Sequence, residues 1–159
     1  MEEKKIPLKK FFPGIAWFFI VAILTLMPGR DLPKIGWLDR IPNFDKLVHA
    51  GLFGGLTLLF CLPYFKTRLS FQKKINNFIR IALAVSIWGI TVEFLQKYFI
   101  PGRDFELLDW AADSAGALIA FFLCRKIIST KFLKYNIQVF SNGNKYQSYK
   151  SQKVEIPDS

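Results

Sequence analysis

Residues 44–65 read FDKLVHAGLFGGLTLLFCLPYF, a long apolar segment that begins with polar residues. From Leu47 to Phe65 its 19 residues carry no charged side chain, and His49 is the one polar residue near their start. A helix needs about 20 mostly apolar residues to cross the hydrocarbon core of a bilayer, with roughly 17 as the lower limit. Residues 44–65 are therefore predicted to form a transmembrane helix with polar first turns.

Three further runs have the length of a membrane-spanning helix: Phe11–Met27, Ile81–Ile100 and Leu107–Cys124. The first run carries no charge. The other two carry their ionisable residues near one end, where a helix bundle can bury such groups against each other. We therefore predict an all-α polytopic membrane protein, a four-transmembrane-helix bundle. Its helices are expected at 9–28, 44–65, 79–100 and 107–128.

The composition excludes a nucleic-acid-binding domain in spite of the basic balance. The chain has 159 residues, of which 52% are apolar, and 22 Lys and Arg face 12 Asp and Glu. Its apolar residues are gathered in long runs, which is typical of membrane proteins. Residues 1–128 are predicted to form the transmembrane domain, and residues 129–159 a basic, polar and poorly ordered cytoplasmic tail. No small-residue cleavage site follows the first run, so we expect it to remain as an uncleaved anchor.

The distribution of basic residues predicts the orientation of the helices. Sixteen of the 22 Lys and Arg residues lie before the first helix, between the second and third, or after the fourth. Because basic loops stay in the cytoplasm, both termini are expected there, with loops 28–46 and 101–106 on the outer side. Cys61 and Cys124 end the second and fourth runs on the cytoplasmic side, where thiols stay reduced, so no disulfide is expected.

Polar residues from three segments are predicted to meet at the outer ends of the helices. Residues that are four apart share a helix face, which applies to Asp45 with His49 and to Asp109 with Asp113. Asp104 and Glu106, by contrast, are interpreted as solvated loop charges. The predicted cluster comprises residues of the second helix, the third helix, the loop after it and the fourth helix: Asp45, Lys46, His49, Glu93, Gln96, Arg103, Asp109 and Asp113.

Small residues favour close contact between the second and fourth helices. Ala112, Gly116 and Ala120 form a ridge on the fourth helix, and Ala50, Gly51, Gly54 and Gly55 form a matching run on the second. Such residues let transmembrane backbones approach closely. Two interpretations of the polar groups between these helices stay open: a functional pocket and a purely structural network. A carboxylate two turns into a membrane segment costs a few kcal/mol unless it is paired, which favours the pocket.

The motifs DKLVH at 45–49 and EFLQKYFIPGRDFELLDWAADSAGA at 93–117 resemble the VanZ-like family of small bacterial membrane proteins. The family pattern is D-K-x-x-H, then E-x-x-Q with an arginine further on, then D-x-x-x-N-x-x-G. The match covers residues 44–122, and Asp113 stands where the family usually has asparagine. The resemblance implies a protein of the bacterial cytoplasmic membrane. The family is named for a protein linked to teicoplanin resistance, and its helices have been likened to membrane enzymes that process lipid head groups.

The cluster suits a phosphorylated lipid. Arg103 and Lys46 are expected to bind the phosphate, together with Gln96 as a substrate-binding residue. His49 is expected to act as general base or nucleophile, oriented by Asp45. The remaining carboxylates, Glu93, Asp109 and Asp113, would polarise the attacking group or hold a divalent ion.

Two functions therefore remain open. The first is an enzyme that hydrolyses or exchanges lipid head groups on a phospholipid or an undecaprenyl-linked envelope precursor. The second is a non-catalytic membrane protein that binds lipid or glycopeptide antibiotic and contributes to resistance. Proton or ion transport is disfavoured because the inner halves of the helices lack ionisable residues. The sequence requires no cofactor, leaves a divalent metal open, predicts no nucleic-acid partner and does not define the oligomeric state.

Overall fold

The computed structural model describes the backbone of residues 6–28 and 43–154, and the side chains of 6–28 and 43–133. A 3-10 turn, Leu8–Phe11, leads into α1, Phe12–Leu26. The remaining helices are α2, Phe44–Phe65; α3, Phe71–Phe99; and α4, Leu107–Val154. Within these described ranges there is no strand, which confirms the all-α prediction.

Four helical segments are long and apolar enough to cross a membrane, and they confirm the four-helix prediction. They are Leu8–Leu26, Phe44–Phe65, Phe71–Phe99 and Leu107–Leu133. The protein is therefore a polytopic membrane protein. Most of the predicted outer loop 28–46 lies outside the described residues, and the sides on which the termini lie stay a prediction.

The third helix begins at Phe71, whereas the prediction began it at 79. The prediction followed the apolar run, but the helix extends beyond that run because its polar start is capped. The Ser70 hydroxyl accepts a hydrogen bond from the Lys73 backbone N–H at 3.4 Å, which satisfies one free donor of the first turn. Gln72 then donates to Asn76 one turn on, at 3.0 Å.

The chain divides into two compact units, Met1–Arg125 and Lys126–Ser159. The first unit contains α1, α2, α3 and the beginning of α4. In the second unit the helical backbone continues to Val154, whereas the fourth helix was predicted to end at 128. The assignment of 129–159 to a cytoplasmic tail stays a prediction, and the tail residues after 154 lie outside the described residues.

The apolar core of the first unit lies between α1, α2, α3 and α4. Trp17 of α1 packs against the Gly55 backbone and donates from Nε1 to the Leu52 carbonyl at 3.0 Å, which joins α1 to α2. Phe18 of α1 meets Trp88 of α3 with ring centroids 4.8 Å apart. The buried core residues are Val21, Phe53, Leu56, Val85, Val92 and Ala117.

The α2 and α4 backbones are almost in contact, as the small residues predicted. A methyl group placed on Gly116 would overlap the carbonyl oxygen of Ala50, and one placed on Gly54 would lie 3.1 Å from the Gly116 carbonyl oxygen. Position 116 therefore requires glycine at this separation of the helices, and position 54 leaves little room for a larger residue. This crossing holds the polar first turns of α2 and α4 side by side.

Candidate functional site

Buried polar side chains from three helices meet near the end of α3 and the beginnings of α2 and α4. Each of them has at most 7% of its surface exposed, and Glu93 and Asp113 have none. Burial of this degree is rare for carboxylates unless they are paired or coordinate an ion. The buried cluster comprises His49 of α2, Glu93 and Gln96 of α3, and Asp109 and Asp113 of α4.

The His49 ring is held between two carboxylates of α4. Its Nδ1 lies 3.0 Å from Asp113 Oδ1, and its Nε2 lies 3.8 Å from Asp109 Oδ2. An ionised carboxylate can only accept a hydrogen bond, so beside ionised Asp113 the Nδ1 atom carries a proton and donates a hydrogen bond to Asp113 Oδ1. This bond fixes the tautomer of the imidazole and turns Nε2 toward Asp109. The ring also stacks on Phe53, with 6.4 Å between centroids, and this contact limits its rotation.

The residue that orients His49 is Asp113, and the predicted orienting role of Asp45 was wrong. The Asp45 side chain is 57% exposed and pairs with Lys46 Nζ at 2.6 Å. Asp45 and His49 do share a helix face, but the close crossing with α4 brings Asp113 nearer to the ring than a residue one turn away on α2. Sequence spacing within one helix could not reveal this.

Gly89 of α3 leaves room for the Asp113 carboxylate because it has no side chain. A methyl group on Gly89 would lie 2.9 Å from Asp113 Oδ2 and 3.1 Å from its Cβ, so the glycine makes room for the carboxylate. Two polar contacts hold α3 and α4 together nearby. The Ser86 and Ser114 hydroxyls are 2.7 Å apart, and Trp110 Nε1 donates to the Ser86 carbonyl at 3.1 Å.

Lys46 forms ion pairs with three carboxylates. Its Nζ lies 2.6 Å from Asp45 Oδ2, 2.7 Å from Glu106 Oε2 and 2.7 Å from Asp109 Oδ1. The contact with Asp109 is an ion pair without hydrogen-bond geometry. Glu106 had been interpreted as a solvated loop charge, and although its side chain is 54% exposed, it belongs to this network. An ammonium group with three acidic neighbours binds a phosphate only when it leaves one of them.

The two polar residues of α3 have different partners. Gln96 Nε2 donates to the Thr25 carbonyl at 2.7 Å, which fastens the end of α1 to α3. Glu93 Oε2 accepts from the Glu106 backbone N–H at 2.9 Å, which fixes the loop before α4. The other oxygen, Glu93 Oε1, is buried and has no hydrogen-bond partner among the described residues. Glu93 thus offers a free acceptor, whereas the amide nitrogen of Gln96 is already used.

Arg103 lies in the loop between α3 and α4, where its backbone N–H donates to the Ile100 carbonyl at 3.2 Å. Among the described residues, no ion pair joins its guanidinium to the buried cluster, and its Nε is buried without a partner. The predicted convergence thus holds for His49, Glu93, Asp109 and Asp113. Arg103 remains a nearby cation without an assigned contact.

Two groups in the described part of the chain have the geometry to hold a metal ion. His49, Glu93 and Asp109 each offer one ligand atom, and these atoms lie within 4.8 Å of one another. The second group is Asp45, Glu106 and Asp109. The ammonium group of Lys46 already lies among the three carboxylates of the second group. In the first group all three residues are buried, and Lys46 pairs with Asp109 but has no ion pair with Glu93 among the described residues.

A groove along the second half of α1 is lined by none of the residues of this cluster. It has a volume of about 570 Å³ and is lined by the apolar residues Phe19, Ala22, Ile23, Leu26, Met27 and Pro28. Most of the predicted outer loop 28–46 lies outside the described residues, so the opening of the polar pocket to the outer face stays a prediction.

Together the fold and the cluster define a class: helical membrane proteins with a buried acidic and histidine-containing cluster at one end of the bundle. Comparison of the chain with family models, with curated proteins and with solved structures found no match in any of the three. Membership of the VanZ-like family therefore stays a prediction that rests on the residues and spacing of its motifs.

Proposed function

We propose that this protein acts on the phosphate linkage of a lipid head group, or of a lipid-linked envelope precursor, by hydrolysis or exchange. The observation that carries the proposal is the His49 ring, whose Nδ1 is fixed by Asp113 while Nε2 faces Asp109. This arrangement presents one ring nitrogen to a reacting group and stabilises the other, as in enzymes that use histidine on an acyl or phosphoryl substrate. The VanZ-like resemblance implies the same substrate class.

Unpaired acceptors argue against a purely structural role for the cluster. Glu93 Oε1 and Asp113 Oδ2 are buried without a hydrogen-bond partner among the described residues. Each buried polar atom left without a partner costs about 1–3 kcal/mol, and a charged one costs more. A network selected only for stability would pair these oxygens or replace them by apolar groups. Buried unpaired carboxylates are typical of sites that bind a ligand or an ion.

The position of the cluster suits a head group. Four helices are long enough to cross the bilayer, and the cluster lies in the last turns of α3 and the first turns of α2 and α4. The ends of membrane-spanning helices lie at the depth of the lipid head groups. We further propose that this end faces the outside of a bacterial cytoplasmic membrane, with both termini in the cytoplasm, as the basic residues favour.

Each residue then has a distinct task. His49 Nε2 is the reactive atom of the site, and Asp113 is the residue that positions it. Lys46 and Arg103 are the cations available for a phosphate, and the Arg103 guanidinium is the better candidate because its planar fork binds two phosphate oxygens. Glu93 and Asp109 border the reacting position.

The test is a comparison of lipids in cells that carry the wild-type protein, the His49→Gln variant or the Asp104→Asn variant. Asp104 is an exposed carboxylate of the loop between α3 and α4, and it takes part in none of the ion pairs found for the cluster among the described residues, so its variant is a matched control. An enzyme should change the abundance of one phospholipid or lipid-linked precursor in the wild type and in Asp104→Asn, and not in His49→Gln.

Purified protein separates the enzyme from the alternative, a protein that binds lipid or glycopeptide without catalysis. For an enzyme, His49→Gln should abolish release of the head group from vesicles of the affected lipid while binding to the vesicles persists. Loss of affinity in small steps across several cluster residues, with no product from the wild type, would refute catalysis.

A further inference from the structure

The geometry points to a binding site for one divalent transition-metal ion, formed by His49 Nε2, Glu93 Oε1 and one Asp109 oxygen. All three side chains are buried, and each offers a ligand atom within 4.8 Å of the others. Ligands about 2.1 Å from a tetrahedral metal ion lie about 3.4 Å apart. The three atoms therefore need to approach by up to about 1.4 Å, which changes in side-chain torsion provide.

The strongest support is that each ligand has its second polar atom held by another group. His49 Nδ1 donates to Asp113 at 3.0 Å. Asp109 Oδ1 lies 2.7 Å from Lys46 Nζ, and Glu93 Oε2 accepts from the Glu106 backbone N–H at 2.9 Å. One atom of each side chain is thereby fixed, and the other is directed into the cluster. Metal ligands in proteins are oriented by outer partners in this way.

An unpartnered buried atom marks the same place. Glu93 has no exposed surface, and its Oε1 has no hydrogen-bond partner among the described residues. The backbone bond to its other oxygen prevents the carboxylate from turning away. A buried carboxylate oxygen of this kind needs a proton or a cation.

The charge of the three ligands favours a doubly charged ion. A neutral imidazole with two carboxylates carries a charge of about −2, which a divalent cation neutralises. Lys46 does not supply this charge, since it is also in contact with Asp45 and Glu106, outside the three-ligand group. The same contacts exclude the second acidic group, whose centre the ammonium occupies.

The ligand types select the class of metal. Ca²⁺ takes only oxygen ligands, and Mg²⁺ strongly prefers them, so a histidine nitrogen favours Zn²⁺ or Mn²⁺. Three nitrogen and oxygen ligands with an open fourth position are typical of catalytic zinc sites. At such a site the ion would polarise a phosphoryl oxygen and lower the pKa of a bound water. This catalytic consequence rests on the proposed function and changes the task of His49, because a ring nitrogen bound to the ion has no free lone pair and the activated water then takes the place of Nε2 as the reactive group. The binding of the ion itself does not rest on the proposed function.

The experiment measures binding and not activity. Protein purified in detergent is treated with a chelator and titrated with Zn²⁺, Mn²⁺ or Mg²⁺ against a competing metal dye. A background with Cys61→Ser and Cys124→Ser removes the two buried thiols, which could bind zinc elsewhere. We expect one Zn²⁺ or Mn²⁺ per chain and binding of Mg²⁺ at least 100-fold weaker.

Substitutions then locate the ion. Glu93→Gln and Asp109→Asn keep the shape of the side chain, and each should weaken Zn²⁺ binding at least 100-fold. Asp113→Asn should weaken it about 10-fold or more, as expected for an outer partner of a ligand. Asp104→Asn should leave it unchanged. Circular dichroism confirms that each variant is folded, and Co²⁺ absorption reports loss of the imidazole in His49→Gln.

Three results would overturn the inference. Absence of saturable binding is one, and unchanged affinity in both Glu93→Gln and Asp109→Asn is another. The third is that Asp45→Asn or Glu106→Gln loses metal binding while Glu93→Gln keeps it, since that outcome assigns the ion to the exposed acidic group. Lipid turnover by metal-free protein would refute the catalytic role of the ion while leaving the proposed function intact. Metal binding without any lipid turnover would refute the proposed function and leave the metal site intact.

Discussion

Replacing Gly116 by alanine tests the crossing of α2 and α4, on which the buried cluster depends. The added methyl carbon would overlap the Ala50 carbonyl oxygen and would lie 2.8 Å from the carbonyl carbon and Cα of Ala50. Carbon atoms in ordinary contact are about 3.5–4.0 Å apart. The two backbones must therefore separate by about 1 Å, because backbone atoms cannot rotate away as a side chain can.

The expected loss of stability has three contributions. Overpacking at a tight contact costs about 1–3 kcal/mol. Separation by about 1 Å would also break the hydrogen bond between His49 and Asp113, now 3.0 Å long, and such interhelical bonds contribute about 0.6–1.7 kcal/mol. Alanine regains about 1 kcal/mol because it is the better helix former. The net change should be a destabilisation of roughly 1–4 kcal/mol.

The matched control lies on α2. Among the described residues, no atom beyond the adjoining backbone of α2 lies within 4 Å of a methyl group placed on Gly51, so Gly51→Ala should be neutral or stabilising by up to about 1 kcal/mol. The free energy of unfolding can be measured for both variants by circular dichroism during a titration with sodium dodecyl sulfate. If Gly116→Ala is as stable as Gly51→Ala, the backbones do not cross at Ala50 and the geometry of the cluster is wrong.

Three further predictions use other contacts. Lys46→Met should lower the free energy of unfolding by about 1–3 kcal/mol, since it leaves the buried Asp109 carboxylate without its cation. Lys97 is exposed, so Lys97→Met should change the free energy of unfolding little. Equal effects of the two substitutions in the same detergent titration would contradict the ion-pair network of Lys46. Trp17→Phe should cost about 1 kcal/mol through loss of its hydrogen bond to a carbonyl of α2, and an unchanged midpoint would show that this bond contributes nothing. In a cysteine-free background in whole cells, a membrane-impermeant thiol reagent should label Gly102→Cys and spare Asn76→Cys, and the opposite pattern would reverse the proposed orientation.

The sequence was sufficient for the fold because its main features are set by composition over long windows. A run of about 20 apolar residues has few stable alternatives to a membrane-crossing helix, since the bilayer core offers no partner for a free backbone N–H. The same argument could not locate the start of α3 at Phe71, because the helix extends beyond the apolar run and its first turn is capped by Ser70. Hydropathy predicts which part of a helix crosses the membrane, whereas local hydrogen bonds determine where the helix begins and ends.

The sequence predicted which residues form the site better than it predicted which of them contact each other. Ionisable residues near helix ends identified His49, Glu93, Asp109 and Asp113 without any alignment. Their partners depend on the distance between helices, and a sequence contains no direct measure of that distance. Gly89 is the clearest case: its role is to leave room for the Asp113 carboxylate, and a glycine within an apolar run gives no signal of what it faces. A test of each glycine against each polar residue at the same depth could have found this pair.

Asp113 shows how stability and function can be separated at this site. Asparagine, the usual residue of the VanZ-like pattern, could also accept a hydrogen bond from His49 Nδ1 through its amide oxygen, so Asp113→Asn should preserve the orientation of the ring. It would remove one of several negative charges gathered without enough cations, which should leave the metal-free protein as stable or more stable. It would also remove the charge that makes the imidazole a stronger ligand, which should weaken metal binding. A variant that gains stability and loses affinity would show that the aspartate serves a bound cation and not the fold. A variant that loses stability and keeps its affinity would assign Asp113 to packing and not to the support of a bound cation.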